Sequence, residues 1–129
     1  MAQLIWAEQC RQRGARMVVS SAGLDARPGQ GPDAMCVALL AERGLDLAGH
    51  RARRLDFARI ADLDLILVME NIHAQRLCST MPLLQGRVHL LGRWGAGEII
   101  DPHGRERARY EHCLDLIEAA VGQWLLRLT

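Results

Sequence analysis

The 129-residue sequence contains no lysine; all sixteen basic residues are arginine, set against fifteen acidic ones for a net charge of +1. So balanced a charge gives no general electrostatic case for nucleic acid or an anionic membrane as partner. No apolar run reaches the length of a membrane span. Met1 to Cys10 carries Glu8 and no basic cluster, unlike a secretory leader, and a cytoplasmic location is expected. Cysteine is sparse: Cys10, Cys36, Cys78 and Cys113 are widely spaced, which predicts free thiols in a reducing compartment. His50, His73, His89, His103 and His112 show no zinc-type spacing, so no metal is expected.

What is present reads as alternating helices and short apolar strands. Met1 to Arg13 predicts a helix ended by Gly14, and Met17 to Ser20 a short β-branched strand. A Gly/Pro-rich loop follows to Pro32, and Asp33 is placed to cap a helix through Arg43, with Gly44 behind it. Asp56 caps a short turn to Ala61. Leu63 to Val68 is nearly all apolar, as a strand covered on both faces should be. Asn71 to Met81 predicts a helix stopped by Pro82, Val88 to Leu91 a strand, and Glu106 to Leu128 a closing helix whose Cys113, Leu114, Ile117, Ala120, Val121, Trp124 and Leu125 form one apolar face. The order predicts an α/β fold with a parallel sheet and right-handed crossovers, its site at the carboxyl ends of the strands.

One loop at such a strand end carries chemistry. In Ile99-Ile100-Asp101-Pro102-His103-Gly104, proline fixes its own φ and biases Asp101 away from helix. The two isoleucines are expected to press the carboxylate against the proline. A carboxylate held on a loop beside an imidazole suits a general acid; a plain Asp-Pro turn is the ordinary alternative.

In Val19 to Leu24, Ala41 to Leu47, Gly49 to Arg53, Asp64 to Glu70, Val88 to Gly92 and Ile100 to Pro102, taken in that order, the chain resembles the low-molecular-weight protein tyrosine phosphatases from Met1 to Leu128. The resemblance implies a three-layer, doubly wound parallel sheet of strand order 2-1-3-4 in a single domain over residues 1–129. It implies hydrolysis of phosphotyrosine through a cysteinyl phosphate, with Asp101 protonating the leaving tyrosyl oxygen and no metal or organic cofactor. By the same resemblance Ser21 and His50 brace the phosphate loop. His103 stands where the family usually carries an aromatic wall for the substrate ring, Arg27 falls on the opposite wall, and Trp94 is a candidate for the rim. Ser21 to Leu24 and Gly92-Arg93-Trp94 look like bacterial members that act on autophosphorylated tyrosine kinases of polysaccharide export, so the expected partner is a phosphotyrosine protein of that kind, with no nucleic acid and no membrane insertion.

The family's nucleophile lies in a Cys-x5-Arg loop between a first strand and a first helix, and its typical Arg-Ser-Pro end would immediately precede Met1. No position in these 129 residues matches that cysteine, its arginine or the strand. Cys10 to Arg16 has the formal spacing, but with helix before it and strand after it, the reverse of a phosphate loop. The expectation is that the chain is an N-terminally incomplete phosphatase, its start placed at an internal methionine or its front deliberately cut away, and is inactive by itself. The absent strand is central in the family sheet; three or four apolar side chains buried there amount to about 5–10 kcal/mol, so poor stability or self-association is expected. Two alternatives remain. One is a phosphatase-like binding protein without catalysis. The other is an arsenate reductase relative, for which a redox cysteine pair is needed where Met69 and Glu70 stand.

Overall fold

A computed structural model describes residues 1–24, 29, 31–51 and 53–128. Among these residues five helices run in the order α1 (Ala2–Arg13), α2 (Ala34–Glu42), α3 (Phe57–Ile60), α4 (Asn71–Thr80) and α5 (Arg107–Leu128). Strand β1 (Ile66–Val68) precedes α4, and β2 (Val88–Leu90) precedes α5. The strands pair in parallel, Ile66 opposite Val88, Leu67 opposite His89 and Val68 opposite Leu90. A parallel pair needs a crossover, supplied here by α4 and a 3-10 turn at Pro82–Leu84.

Side-chain alternation along β1 sends its residues to two separate cores. Leu65, Leu67 and Met69 pack toward the larger one, built from Ile5, Trp6 and Cys10 of α1, Leu39 and Leu40 of α2 and the apolar face of α5. Ile66 and Val68 face the smaller one, with Ile60, Leu77 and Leu84. Helices therefore cover both faces of the parallel pair, the expected α/β layering. The expected buried face of α5 is the one observed, from Cys113 to Leu125, with Tyr110 added at its start.

Local signals set the helix ends. Asp33 caps α2 by accepting from the Met35 amide at 2.8 Å, and Asp56 caps α3 by accepting from Ala58 at 3.0 Å. Gly14 closes α1 at φ +67°, a left-handed conformation in which its amide and that of Ala15 reach the carbonyls of Arg11 and Cys10. Arginines then tie the helices on the larger core together. Arg43 reaches Asp115 and Glu118, and Arg107 spans Glu42 and Glu111.

The strand expected at Met17 to Ser20 is absent, and the one expected from Leu63 begins only at Ile66. Among the described residues, no backbone hydrogen bond joins 17–20 to 63–68. Val18 is fully exposed. A strand exists only where a neighbour completes its ladder. Arg87 supplies the carbonyl for the Ile66 amide and Val68 the one for Leu91, and the ladder stops at those residues. The 17–20 segment runs into a single parallel bridge, Gly23 with Arg54.

Candidate active site

The loop from β2 to α5 presents Asp101, and its path is fixed one contact at a time. Leu91 is buried and donates to the Val68 carbonyl at 2.8 Å, carrying the chain past the end of β1. Residues 92–97 then close on themselves: Gly97 and Gly95 both donate to the Gly92 carbonyl, at 2.7 and 3.0 Å. A Cβ on Gly92 would lie 2.2 Å from the Gly97 carbonyl oxygen, so this closure requires glycine there. Glu98 accepts from the Asn71 amide at 2.8 Å, at the head of α4. Ile99 donates to the Met69 carbonyl at 2.9 Å and is 1% exposed.

Between buried Ile99 and buried Pro102, Ile100 and Asp101 turn outward. Ile100 is 62% exposed, so it does not press on the carboxylate as the sequence suggested; Ile99 and Pro102 are the two anchors. Asp101 accepts from the His103 amide at 3.0 Å in an Asx-type turn, Arg105 donates to the Pro102 carbonyl at 2.9 Å, and Gly104 takes φ +76°. The result is an exposed carboxylate on a short, internally bonded turn beyond the carboxyl end of β1. That is where an open parallel sheet places its chemistry.

The neighbouring imidazole does not bond to Asp101. His103 Nδ1 lies 3.0 Å from Asp33 Oδ2, and since a carboxylate oxygen only accepts, Nδ1 carries the proton of that bond. The same oxygen accepts from the Tyr110 hydroxyl at 2.7 Å, and the Gly104 amide donates to that hydroxyl oxygen at 3.3 Å. The Tyr110 bond, followed by the Met35 amide and His103, holds the Asp33 carboxyl below its usual range, against the opposing effect of burial. Tyr110 and Asp33 were not among the residues expected here. The available signal was the chain's single tyrosine on an otherwise apolar helix face, whose hydroxyl needs a partner once buried.

Ser21 donates to Gln3 Oε1 at 2.5 Å, and its carbonyl accepts from Arg53 at 3.2 Å, fastening the segment after 17–20 to α1 and to the 53–55 stretch. His50 is exposed, its amide on the Leu47 carbonyl, with Arg51 folded back onto the Ala48 and His50 carbonyls. Trp94 belongs to another neighbourhood. It packs edge-on against Trp124 at 5.6 Å, under the guanidinium groups of Arg93 and Arg127 at 4.8 and 3.9 Å. Trp124 lies about 21 Å along α5 from Tyr110, so the structure separates Trp94 from the Asp101–His103 turn. Arg27 lies outside the described residues.

The thiols near the turn are held in the neutral form. Burial is the main cause for both: it pushes Cys36 up to about 11 and raises Cys113, and the Asp101 charge adds in the same direction. Cys10 is buried inside α1, so the Cys10–Arg16 spacing spans a helix end. Among the described residues no cluster of His, Cys, Asp and Glu is arranged to hold a metal, and no helix is long and apolar enough to cross a membrane.

Comparison with known proteins agrees with this geometry. The family model described as low molecular weight phosphotyrosine protein phosphatase matches residues 1–129. The low molecular weight protein-tyrosine-phosphatase Wzb of Escherichia coli K12 is 38% identical over 120 residues, covering 92% of this chain and 82% of that protein. The probable low molecular weight protein-tyrosine-phosphatase EpsP of Ralstonia nicotianae is 33% identical over 118 residues, covering 92% and 81%. The structure of Vibrio vulnificus Wzb in complex with benzylphosphonate superposes with a TM-score of 0.87 at 28% identity, covering 98% of this chain and 87% of that one. Matched by this family model over residues 1–129 and 38% identical to Wzb over 92% of its length, the chain belongs to the low molecular weight phosphotyrosine protein phosphatase family.

Proposed function

We propose that Asp101 is the general acid in the hydrolysis of phosphotyrosine on proteins, and that the thiolate and arginine clamp of that reaction are not among these 129 residues. The observation that carries this reading is the Asp101 turn. It is an exposed carboxylate, anchored on one side by Ile99 to the end of β1 and on the other by buried Pro102, at the strand end where a leaving oxygen would be protonated. The cysteines lack the setting of a nucleophile: burial raises the Cys36 and Cys113 thiols, Cys10 is enclosed in α1, and Cys78 lies inside α4 toward its C-terminal end, away from a helix N-terminus. Ser21, tied to α1 and to Arg53, and His50 brace the phosphate loop when one is present. His103 borders the approach to Asp101.

The partner in this reading is a phosphotyrosine protein, the autophosphorylated tyrosine kinase of a bacterial polysaccharide-export system, acting in the cytoplasm. Support for that finer assignment is the resemblance at Ser21 to Leu24 and Gly92 to Trp94.

The test is turnover of p-nitrophenyl phosphate by two proteins. The 129-residue chain alone is expected to show none. The same chain joined at Met1 to the strand and Cys-x5-Arg loop of a family member is expected to hydrolyse it. Turnover by the unextended chain would overturn the assignment of the nucleophile, and an inert extended chain would overturn the phosphatase reading.

A further inference from the structure

Among the described residues, the hydrogen bonds that tie the Asp101 turn to the rest of the molecule after Ile99 converge on one oxygen atom. Asp33 Oδ2 receives the His103 imidazole directly at 3.0 Å. It also receives the Tyr110 hydroxyl at 2.7 Å, and that hydroxyl in turn receives the Gly104 amide at 3.3 Å. The carboxylate is itself immobile, because its other oxygen accepts from the Met35 amide as the N-cap of α2. α2 is locked to α5 by Arg107 on Glu42 and by Leu39 and Leu40 in the larger core. Tyr110 is 4% exposed, so the relay between Gly104 and Asp33 is sheltered, whereas the His103 side chain is 78% exposed and can leave.

We propose that Asp33 is a positioning residue for the general acid: its carboxylate, fixed at the head of α2, holds the Asp101 turn through His103 and Tyr110 and so sets where Asp101 presents its proton. The inference rests on the reading of Asp101 as proton donor. It gives His103 a second task, since a ring whose Nδ1 is committed to Asp33 is a latch on the acid turn as well as a neighbour of the substrate. Two hydrogen-bonded routes to one anchor restrict the turn more than either alone, and a restricted acid is the condition for efficient proton delivery.

Asp33→Ser separates the two duties of this residue. Serine still caps α2 by accepting from the Met35 amide but is too short to reach His103 and Tyr110 together. In ¹⁵N relaxation of the chain extended with a phosphate loop, the His103 and Gly104 amides are expected to fall from rigid order parameters of about 0.85 toward about 0.6. The Met35 and Val37 amides should keep theirs. His103→Ala, at an exposed position that leaves folding intact, should loosen the turn part of the way. Unchanged order at His103 and Gly104 in both variants overturns the proposal.

In the chain extended with a phosphate loop, Asp33→Ser should lower kcat for phenyl phosphate by about tenfold more than for p-nitrophenyl phosphate, whose better leaving group needs less acid assistance, with KM unchanged. Asp33→Asn, whose single acceptor oxygen can serve Tyr110 and His103 only by releasing the Met35 amide, should recover at most part of the loss. A merely structural role would lower both substrates alike, and that result also overturns the proposal. If Asp101→Asn shifts the substrate ratio and Asp33→Ser does not, the positioning role falls and the acid assignment stands. If Asp33→Ser loosens the turn while neither variant shifts the ratio, the acid assignment has failed and the positioning role, which rests on it, falls with it.

Discussion

Trp124→Phe probes the joint between β2 and the acid loop. The indole N–H donates to the Leu91 carbonyl at 2.8 Å and, more weakly, to the Leu90 carbonyl at 3.3 Å, where the chain leaves the sheet toward Gly92. Both Trp124 and Leu91 are buried, so water cannot replace the lost donor. Leaving a buried carbonyl without its partner costs about 1–3 kcal/mol. Shrinking a core indole to a phenyl ring adds about 1 kcal/mol for lost contact and incomplete collapse. Together these predict a loss of about 2–4 kcal/mol. With a urea dependence of about 1–3 kcal/mol per molar for a domain of this size, the midpoint of the chain extended with a phosphate loop, followed by far-UV circular dichroism, should fall by about 1–2 M. Trp94→Phe is the control. That ring is 37% exposed and held mainly by Arg93 and Arg127, so its loss should be under about 1 kcal/mol. A Trp124→Phe shift no larger than the Trp94→Phe shift would refute the assignment of Trp124 as the fastening of this joint.

Other consequences are open to measurement. The 129-residue chain is expected to melt at low temperature with a broad transition or to associate, because β1 and β2 form its only two-stranded pairing among the described residues while 17–20 is unpaired; a sharp monomeric transition well above room temperature in calorimetry would contradict this. Asp33 has its carboxyl lowered in the folded state, so its contribution is complete above the unfolded value of about 4 and disappears as pH falls through the lower folded value. In the chain extended with a phosphate loop, the difference in urea midpoint between the parent sequence and Asp33→Asn should therefore be constant from pH 7 to about 4 and shrink below that; a difference that stays constant down to pH 2 contradicts the ionic hold on this residue. Cys36, with its thiol raised to about 11, should react slowly with iodoacetamide at pH 8 and faster up to that range. Rapid alkylation of Cys36 at neutral pH, read by mass spectrometry, would remove the argument against it as nucleophile.

Local structure was legible in the sequence where its cause is local. The ends of α1, α2, α3 and α5 fall within a residue or two of where Gly14, Asp33, Asp56 and the apolar stripe of the last helix place them. Strands were less legible because a ladder needs two members. Met17 to Ser20 has β-branched composition but no neighbour, and Leu63 and Leu65 precede the register that Val88 to Leu90 can satisfy. At the site, the Asp101 turn was readable from Asp-Pro and the glycine behind it. The grip of Asp33 on His103 and Tyr110 was not, since those contacts join residues 70 and 77 positions apart and depend on how α2 packs against α5. Trp94 shows the same limit. Its loop lies on the way to Asp101 in sequence, yet the Gly92–Gly97 closure turns the ring onto Trp124.

The assignment of Asp101 as proton donor is tested most directly by the pH profile of kcat for phenyl phosphate in the chain extended with a phosphate loop. With aspartic acid at 101, kcat should fall as pH rises through the ionisation of the acid. In Asp101→Asn that limb should vanish, with kcat reduced by about a hundredfold or more. An unchanged limb and an unchanged kcat in Asp101→Asn would contradict the account.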